Sequence, residues 1–266
     1  MFSLGITLES LGQPLREAVI TAAQAGLQGM VFDAVGPLGP DALGDTARRE
    51  VRHLLSSHLL KLFALRCPLR RGLEELDGLE QRLERLRKAM QLSFDLGARL
   101  ILLGIGEVPA EDDAPVRLRM RTALQELSQF SDRIGCQIAL DAGLEPIQVL
   151  LSLVRSLEAG NVGISIDPAT LLMEKQPIES TLLATRGHLL HSYARDAVPR
   201  RIDRPAREVP VGHGDIDWLS WLGTLQASGY QGAMTIRQTA TQLPVHGARE
   251  AANFLRKLGV GTVFTA

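Results

Sequence analysis

Gln137-Ile138-Ala139-Leu140-Asp141 and, one helix-like stretch later, Val162-Gly163-Ile164-Ser165-Ile166-Asp167 are the segments whose reading decides the fold. Each is a short apolar run closed by a carboxylate. A run that is apolar throughout, rather than alternating, is expected of a strand buried on both faces, as in a parallel sheet covered by helices. The same unit recurs at Ser3–Leu8, Gly29–Phe32, Lys61–Leu65, Arg99–Leu103, His188–Tyr193 and Ala233–Ile236, which makes eight predicted strands.

Helical periodicity fills the intervals. Leu79, Leu83, Leu86, Met90 and Phe94 follow in steps of three and four and build one apolar face, while Glu84, Arg85, Arg87 and Lys88 occupy the other. Further helices are predicted over Pro14–Ala25, Asp45–His58, Pro115–Arg133, Glu145–Leu157, Asp217–Ala227 and Gly247–Leu258, with a shorter, broken one after Pro168. Gly26, Gly97, Gly135, Gly160, Gly187 and Gly229 fall just past these stretches, where a left-handed residue ends a helix.

Alternating strands and helices allow a closed (β/α)8 barrel or a long doubly wound sheet, and the second usually carries a glycine-rich dinucleotide turn. Leu103-Gly104-Ile105-Gly106 lacks the third glycine, and Pro109 follows. The reading is therefore a single (β/α)8 TIM barrel over residues 1–266 with no nucleotide cofactor, and its functional residues are expected at the C-terminal strand ends. A net charge of −1 and an aromatic content of 4% speak against a nucleic-acid partner. The two cysteines, Cys67 and Cys136, lie in apolar runs without metal-type spacing and read as reduced core residues, which favours a cytoplasmic setting. No basic leader followed by a long apolar run opens the sequence, and no later stretch has the length of a membrane span, so neither export nor a membrane partner is expected.

Several segments, in order, resemble the xylose isomerase-like TIM barrels, the sugar-phosphate isomerases and epimerases. They are Ala25-Gly26-Leu27-Gln28-Gly29-Met30-Val31-Phe32-Asp33, Asp95-Leu96-Gly97-Ala98-Arg99, Asp167-Pro168-Ala169, His191 with Asp196 five residues on, Gly212-His213-Gly214-Asp215-Ile216-Asp217-Trp218, and Gly229-Tyr230-Gln231-Gly232. The resemblance covers nearly the whole chain. It implies a sugar or sugar derivative as small-molecule partner, the homodimerisation frequent in such barrels, and a divalent ion (manganese, magnesium or zinc) at the barrel mouth. The ion is held in that family by carboxylates from strands five and eight, an aspartate from strand six and a histidine from strand seven. The matching positions are Asp141, Arg237, Asp167 and His191. The two outer carboxylates also move a proton beside the sugar carbonyl in ketose epimerases.

Here the sequence departs from the family. Asp141 keeps the charge but is one methylene shorter than the usual glutamate. Arg237 offers no lone pair and accepts no proton, so it serves as neither ligand nor base. A guanidinium about 4 Å from a dication repels it by several kcal/mol even at an effective dielectric near 20. Arg237 is thus expected to replace the metal, with its planar fork pairing with Asp167 or Asp141.

Each candidate carries a plainer reading beside the functional one. Asp167 before Pro168 suits a helix cap; His191 suits a hydrogen-bonded core histidine; Asp141 suits a loop residue bonding nearby amides. Arg237 points inward if it shares its face with Thr235 and Ala233. Arg195 and Asp196 are candidates to grip a sugar hydroxyl or phosphate, or to pair with each other. His213, between two glycines, is a candidate ligand contact or part of an ordinary turn. The basic run Arg200–Arg207 is a candidate anion trap or a solvated loop. Two functions follow: a sugar isomerase or epimerase with Asp141 as remaining base, or a silent barrel that binds a sugar or sugar acid through Arg237, Arg195 and His191. Apurinic-site nuclease activity, known from distant relatives, needs a richer cluster of histidines and glutamates than six scattered histidines supply.

Overall fold

A computed structural model describes residues 2–111, 114–239 and 243–261. Eight parallel strands close into a barrel. In chain order these are β1 (Leu4–Thr7), β2 (Gly29–Asp33), β3 (Lys61–Arg66), β4 (Leu100–Leu103), β5 (Gln137–Asp141), β6 (Val162–Ile166) and β7 (Leu189–Ala194), then a short antiparallel pair, β8 (Asp196–Val198) with β9 (Arg207–Val209), and finally β10 (Met234–Ile236), the last barrel strand. Strand β10 closes the ring between β7 and β1, with Ile6 opposite Ile236 and Tyr193 opposite Thr235.

The helices are α1 (Leu15–Gln24), α2 (Asp45–Ser57), α3 (Leu79–Leu96), α4 (Pro115–Ile134), α5 (Ile147–Arg155), α6 (Pro168–Met173), α7 (Ile178–Ala184), α8 (Trp218–Ala227) and α9 (Pro244–Lys257). The amphipathic pattern predicted for α3 is the one found. Leu83, Leu86, Ala89 and Met90 are buried, while Arg87 on the opposite side pairs with Glu80 and Glu84 at 3.2 and 3.1 Å. The stretch after Pro168 forms two short helices, the broken element expected there. One expectation needs correction. Helix α9 starts at Pro244 rather than Gly247, because a proline fits the first helical turn, where its missing N–H has no partner to lose. The run Arg200–Arg207 is the turn of a hairpin, closed by a bridge between Arg201 and Arg204. Its ion pairs, Arg201 with Asp215 at 3.7 Å and Arg204 with Asp203 at 3.3 Å, are exposed. No helix among the described residues is long and apolar enough to cross a membrane.

Two apolar regions form. The larger lies between strands and helices. The smaller fills the barrel itself and consists of Val31, Ala64, Leu102, Ala139 and Tyr193, with Phe63, Leu100 and Leu190 against them. Glycines make this filling fit. A Cβ on Gly29 would lie 2.4 Å from the Phe63 ring and one on Gly5 2.6 Å from it, while one on Gly163 would lie 2.6 Å from Leu190. Two large side chains thus occupy the space that three absent ones leave, and Tyr193 remains as the polar-tipped member of the interior. Cys67 and Cys136 are buried free thiols, each pushed up to about 11 by burial, as expected of inert core residues.

Because the Phe63 ring leaves no room for a methyl group, Gly29→Ala is expected to cost about 1–3 kcal/mol. Denaturant unfolding of the variant beside the wild type checks this, and an unchanged midpoint would contradict the packing described.

Candidate active site

A cavity of about 170 Å³ opens at the C-terminal ends of β5, β6, β7 and β10. Its walls include Gly104 and Gly106 after β4, Asp141 and Glu145 at and after β5, Ser165 and Asp167 at β6, Thr170, Tyr193 and Arg237. It is smaller than the roughly 300–1,000 Å³ of drug-sized pockets, so it suits a compact polar molecule.

Asp167 caps α6. Its Oδ1 accepts from the amides of Ala169 (2.9 Å) and Thr170 (3.4 Å), and its Oδ2 accepts from the Thr170 hydroxyl (3.1 Å) and from Arg195 (3.0 Å). Arg195 continues the chain of charges by donating from Nε to Glu208 on β9 at 2.7 Å. The Glu208 carboxylate also accepts from the Thr239 amide (2.6 Å) and hydroxyl (2.8 Å). Burial opposes its charge, but the Thr239 amide and Arg195 outweigh burial and hold the carboxyl below its usual range. The partner expected of Arg237 is therefore taken: Arg195, not Arg237, pairs with Asp167. A second cluster sits over β1–β3, where Arg66 donates to both oxygens of Asp33 (2.7 and 2.6 Å) and to Glu9 (2.8 Å).

His191 is 1% exposed and has both ring nitrogens engaged, Nδ1 with the Ser165 hydroxyl (3.1 Å) and Nε2 with the Thr235 hydroxyl (2.9 Å). Its ring stands edge-on to Tyr193 at 4.5 Å. Burial without a counter-charge lowers its pKa to about 3, so it is neutral at physiological pH. Asp196 is fully buried. It accepts from the amides of Ala197 (2.9 Å), Gly212 (2.8 Å), Gly214 (3.1 Å) and Ile216 (3.4 Å), and from the Trp218 indole (3.0 Å). The motif Gly212-His213-Gly214 gains its physical reason here. Gly212 has φ +88°, and a Cβ on Gly214 would lie 2.0 Å from the Asp196 carboxylate. The exposed His213 belongs to this turn and does not line the cavity.

Three residues of the cavity wall each carry one buried polar atom without a hydrogen-bond partner: Asp141 Oδ1, the Tyr193 hydroxyl and Arg237 Nε. The Arg237 guanidinium lies over the Tyr193 ring, 5.5 Å from its centre. Burial raises the pKa of Asp141; the Ser165 hydroxyl, Arg237 and Arg66 pull the other way, and Asp167 adds to the rise. Glu145 is also raised by burial, although its own amide and that of Val108 oppose this and Glu107 reinforces it.

These residues do not fit a divalent ion. No three His, Cys, Asp or Glu side chains among the described residues converge as a metal site. Of the expected set, His191 spends both nitrogens on hydroxyls, Asp167 spends its oxygens on a helix end and Arg195, and Arg237 brings a positive charge to the fourth position. Only Asp141 keeps a free oxygen. Sequence reading missed Tyr193, Arg66 and Glu208. Tyr193 and Arg66 close or follow apolar runs, so the rule that selected Asp141 also reaches them. Glu208 carries no local signal, since only the hairpin brings it to Arg195.

An eight-stranded parallel barrel with its polar cavity at the C-terminal mouth defines the class. The chain matches the family described as xylose isomerase-like TIM barrel over residues 19–258, and it belongs to that family. It is 28% identical over 200 residues to an L-ribulose-5-phosphate 3-epimerase, UlaE, of Salmonella paratyphi C, a match covering 73% of this chain and 66% of that protein. Among solved structures, a xylose isomerase domain protein from Planctomyces limnophilus superposes with a TM-score of 0.83 at 19% identity, over 97% of this chain and 95% of the other. A D-allulose 3-epimerase from Methylomonas sp. in complex with D-allulose superposes with a TM-score of 0.77 at 17% identity, over 96% of both chains. At such identities these two likenesses bear on the fold.

Two outcomes follow from the buried groups. Replacing Asp196 with Ala leaves its amide and indole donors without an acceptor and is expected to cost at least about 3 kcal/mol, with loss of hydrogen-exchange protection at Gly212, Gly214 and Ile216. For His191, the unfolded chain takes up a proton below about pH 6.5 that the folded chain refuses until about pH 3. Its contribution is therefore complete above pH 6.5 and declines as the pH falls, by about 2–3 kcal/mol at pH 4.5. Unfolding free energies at pH 7 and 4.5, compared with His191→Gln, measure this directly; an equal pH dependence in both proteins would contradict it.

Proposed function

We propose that this protein is a sugar isomerase or epimerase that moves a proton beside a carbonyl, with Asp141 as the base and Arg237 standing where relatives place a metal-binding carboxylate. The observation that carries the reading is that one cavity is lined both by Asp141, one of whose oxygens has no hydrogen-bond partner, and by Arg237, which has no carboxylate at salt-bridge distance among the described residues. Family membership and the 28% identity to L-ribulose-5-phosphate 3-epimerases support the sugar class.

In this mechanism Asp141 removes the proton from the carbon next to the carbonyl. The C–H electron pair forms the new C=C bond, and the carbonyl π pair moves onto oxygen. The resulting enediolate carries one negative charge, which Arg237 offsets without itself releasing a proton. Protonated Asp141 then delivers the proton to the former carbonyl carbon from the same face while the enediolate's hydroxyl proton shifts to the charged oxygen, which isomerises the sugar with atoms and charge balanced and no redox partner; epimerisation instead needs a solvent proton delivered to the opposite face of the original carbon. A carboxylate whose pKa is raised by burial is a stronger base than a solvated one, which suits this role. The silent-barrel reading narrows to Arg237, because Arg195 and His191 are committed to Asp167, Glu208, Ser165 and Thr235.

Incubating the protein in D2O with L-ribulose 5-phosphate and with D-allulose, in the presence of EDTA, is expected to exchange the proton beside the carbonyl, read by proton NMR. Asp141→Asn is expected to slow exchange by about 10²-fold or more. Binding of a sugar with no exchange would decide for the silent barrel.

A further inference from the structure

The three unpartnered atoms on residues of the cavity wall form a pattern. Native proteins pair nearly all their buried polar groups, so several orphans in one wall call for an occupant. Arg237 Nε is a donor, the Tyr193 hydroxyl can donate, and Asp141 Oδ1 accepts. The charges around them sharpen the pattern. Asp167 and Glu208 share Arg195, and Asp33 and Glu9 share Arg66. Arg237 has no carboxylate at salt-bridge distance among the described residues, yet its Nε is buried and its guanidinium rests on the Tyr193 ring. Tyr193 itself is 2% exposed and packs against the edge-on ring of His191, which is locked in turn by Ser165 and Thr235. A burial this complete leaves the hydroxyl few orientations.

We infer that Arg237 and Tyr193 together form a metal-independent oxyanion site, whose ligand class is a compact planar anion with a neighbouring hydroxyl: an α-hydroxy carboxylate, or the enediolate of a short sugar. The anionic oxygen takes both donors and the neighbouring hydroxyl donates to Asp141. This deepens the reading above by naming the ligand chemistry of the same cavity, and it makes Tyr193 a second donor to the oxygen on which charge develops. Arg237 is half-buried with its Nε unpartnered, and an anionic oxygen that accepts from it satisfies a donor the protein leaves open. The small volume of the cavity limits it to a short molecule.

The test uses the full chain with EDTA present and two probes of nearly equal shape: D-erythronate, a four-carbon sugar acid, and its neutral amide. Calorimetry is expected to show the acid binding at least tenfold more tightly than the amide. Tyr193→Phe and Arg237→Met are each expected to weaken erythronate binding by about tenfold or more. Equal affinity for acid and amide, binding that neither variant weakens, or binding that appears only on adding manganese, zinc or magnesium would overturn the proposal. A second readout needs no ligand. The Tyr193 hydroxyl has no protein partner, so Tyr193→Phe should melt no lower than the wild type; a clear drop would show a structural partner and overturn it as well. The two readings fail separately. Erythronate bound with no ketose exchange leaves the oxyanion site standing and removes the enzyme, whereas ketose exchange with no preference for the acid removes the oxyanion site and leaves the enzyme.

Discussion

Closing eight parallel strands into a ring leaves an interior only wide enough for side chains, and the rest of this structure depends on how that interior is filled. Phe63 and Leu190 reach across Gly5, Gly29 and Gly163 and use the space those residues leave. With that region taken by hydrocarbon, Tyr193 joins the interior cluster and also lines the cavity. The packing constraint thus places the tyrosine: had Gly29 or Gly5 carried a side chain, Phe63 would not fit, and the layers above it would shift.

Charge at the mouth is distributed by the same geometry. Strands β6 and β7 bring Asp167 and Arg195 together, and β9 adds Glu208, so one arginine ties two carboxylates on three elements. Across the ring, Arg66 does the same for Asp33 and Glu9. After these pairings Asp141, Glu145 and Arg237 are the charged side chains of the cavity left without an ion pair among the described residues. A metal site built on this frame would need Asp167 and His191 to give up existing hydrogen bonds and a cation to approach Arg237, each of which is unfavourable. A site whose occupant brings negative charge and a hydroxyl needs none of these changes.

Asp196 illustrates how a residue chosen as a site candidate turns out to build the scaffold. Its carboxylate gathers the amides of the Gly212–Ile216 turn and the Trp218 indole, and so fixes the loop that leads into α8. The motif that most strongly marks the family in this chain therefore encodes a turn around a buried charge. His213, at its centre, faces solvent.

Alternating apolar runs and amphipathic stretches determined the barrel, since burial on two faces and helical periodicity are local properties of sequence. The same pattern placed Asp141, Asp167 and Arg237 at strand ends and His191 inside a strand. Tertiary structure alone decided their partners. Whether Asp167 meets Arg195 or Arg237 depends on the register of β6 with β7, which slips between Ile164 and Ser165, and on a hairpin that adds Glu208. Whether His191 faces a ligand or two hydroxyls depends on Ser165 and Thr235, from strands on either side of it. Hydrogen bonds and ion pairs are made between residues 26 to 44 positions apart in these cases, and no local pattern specifies which of several strand ends will meet. What a strand ends in can be read from the chain; which of those ends is left without a partner is settled only when the ring closes.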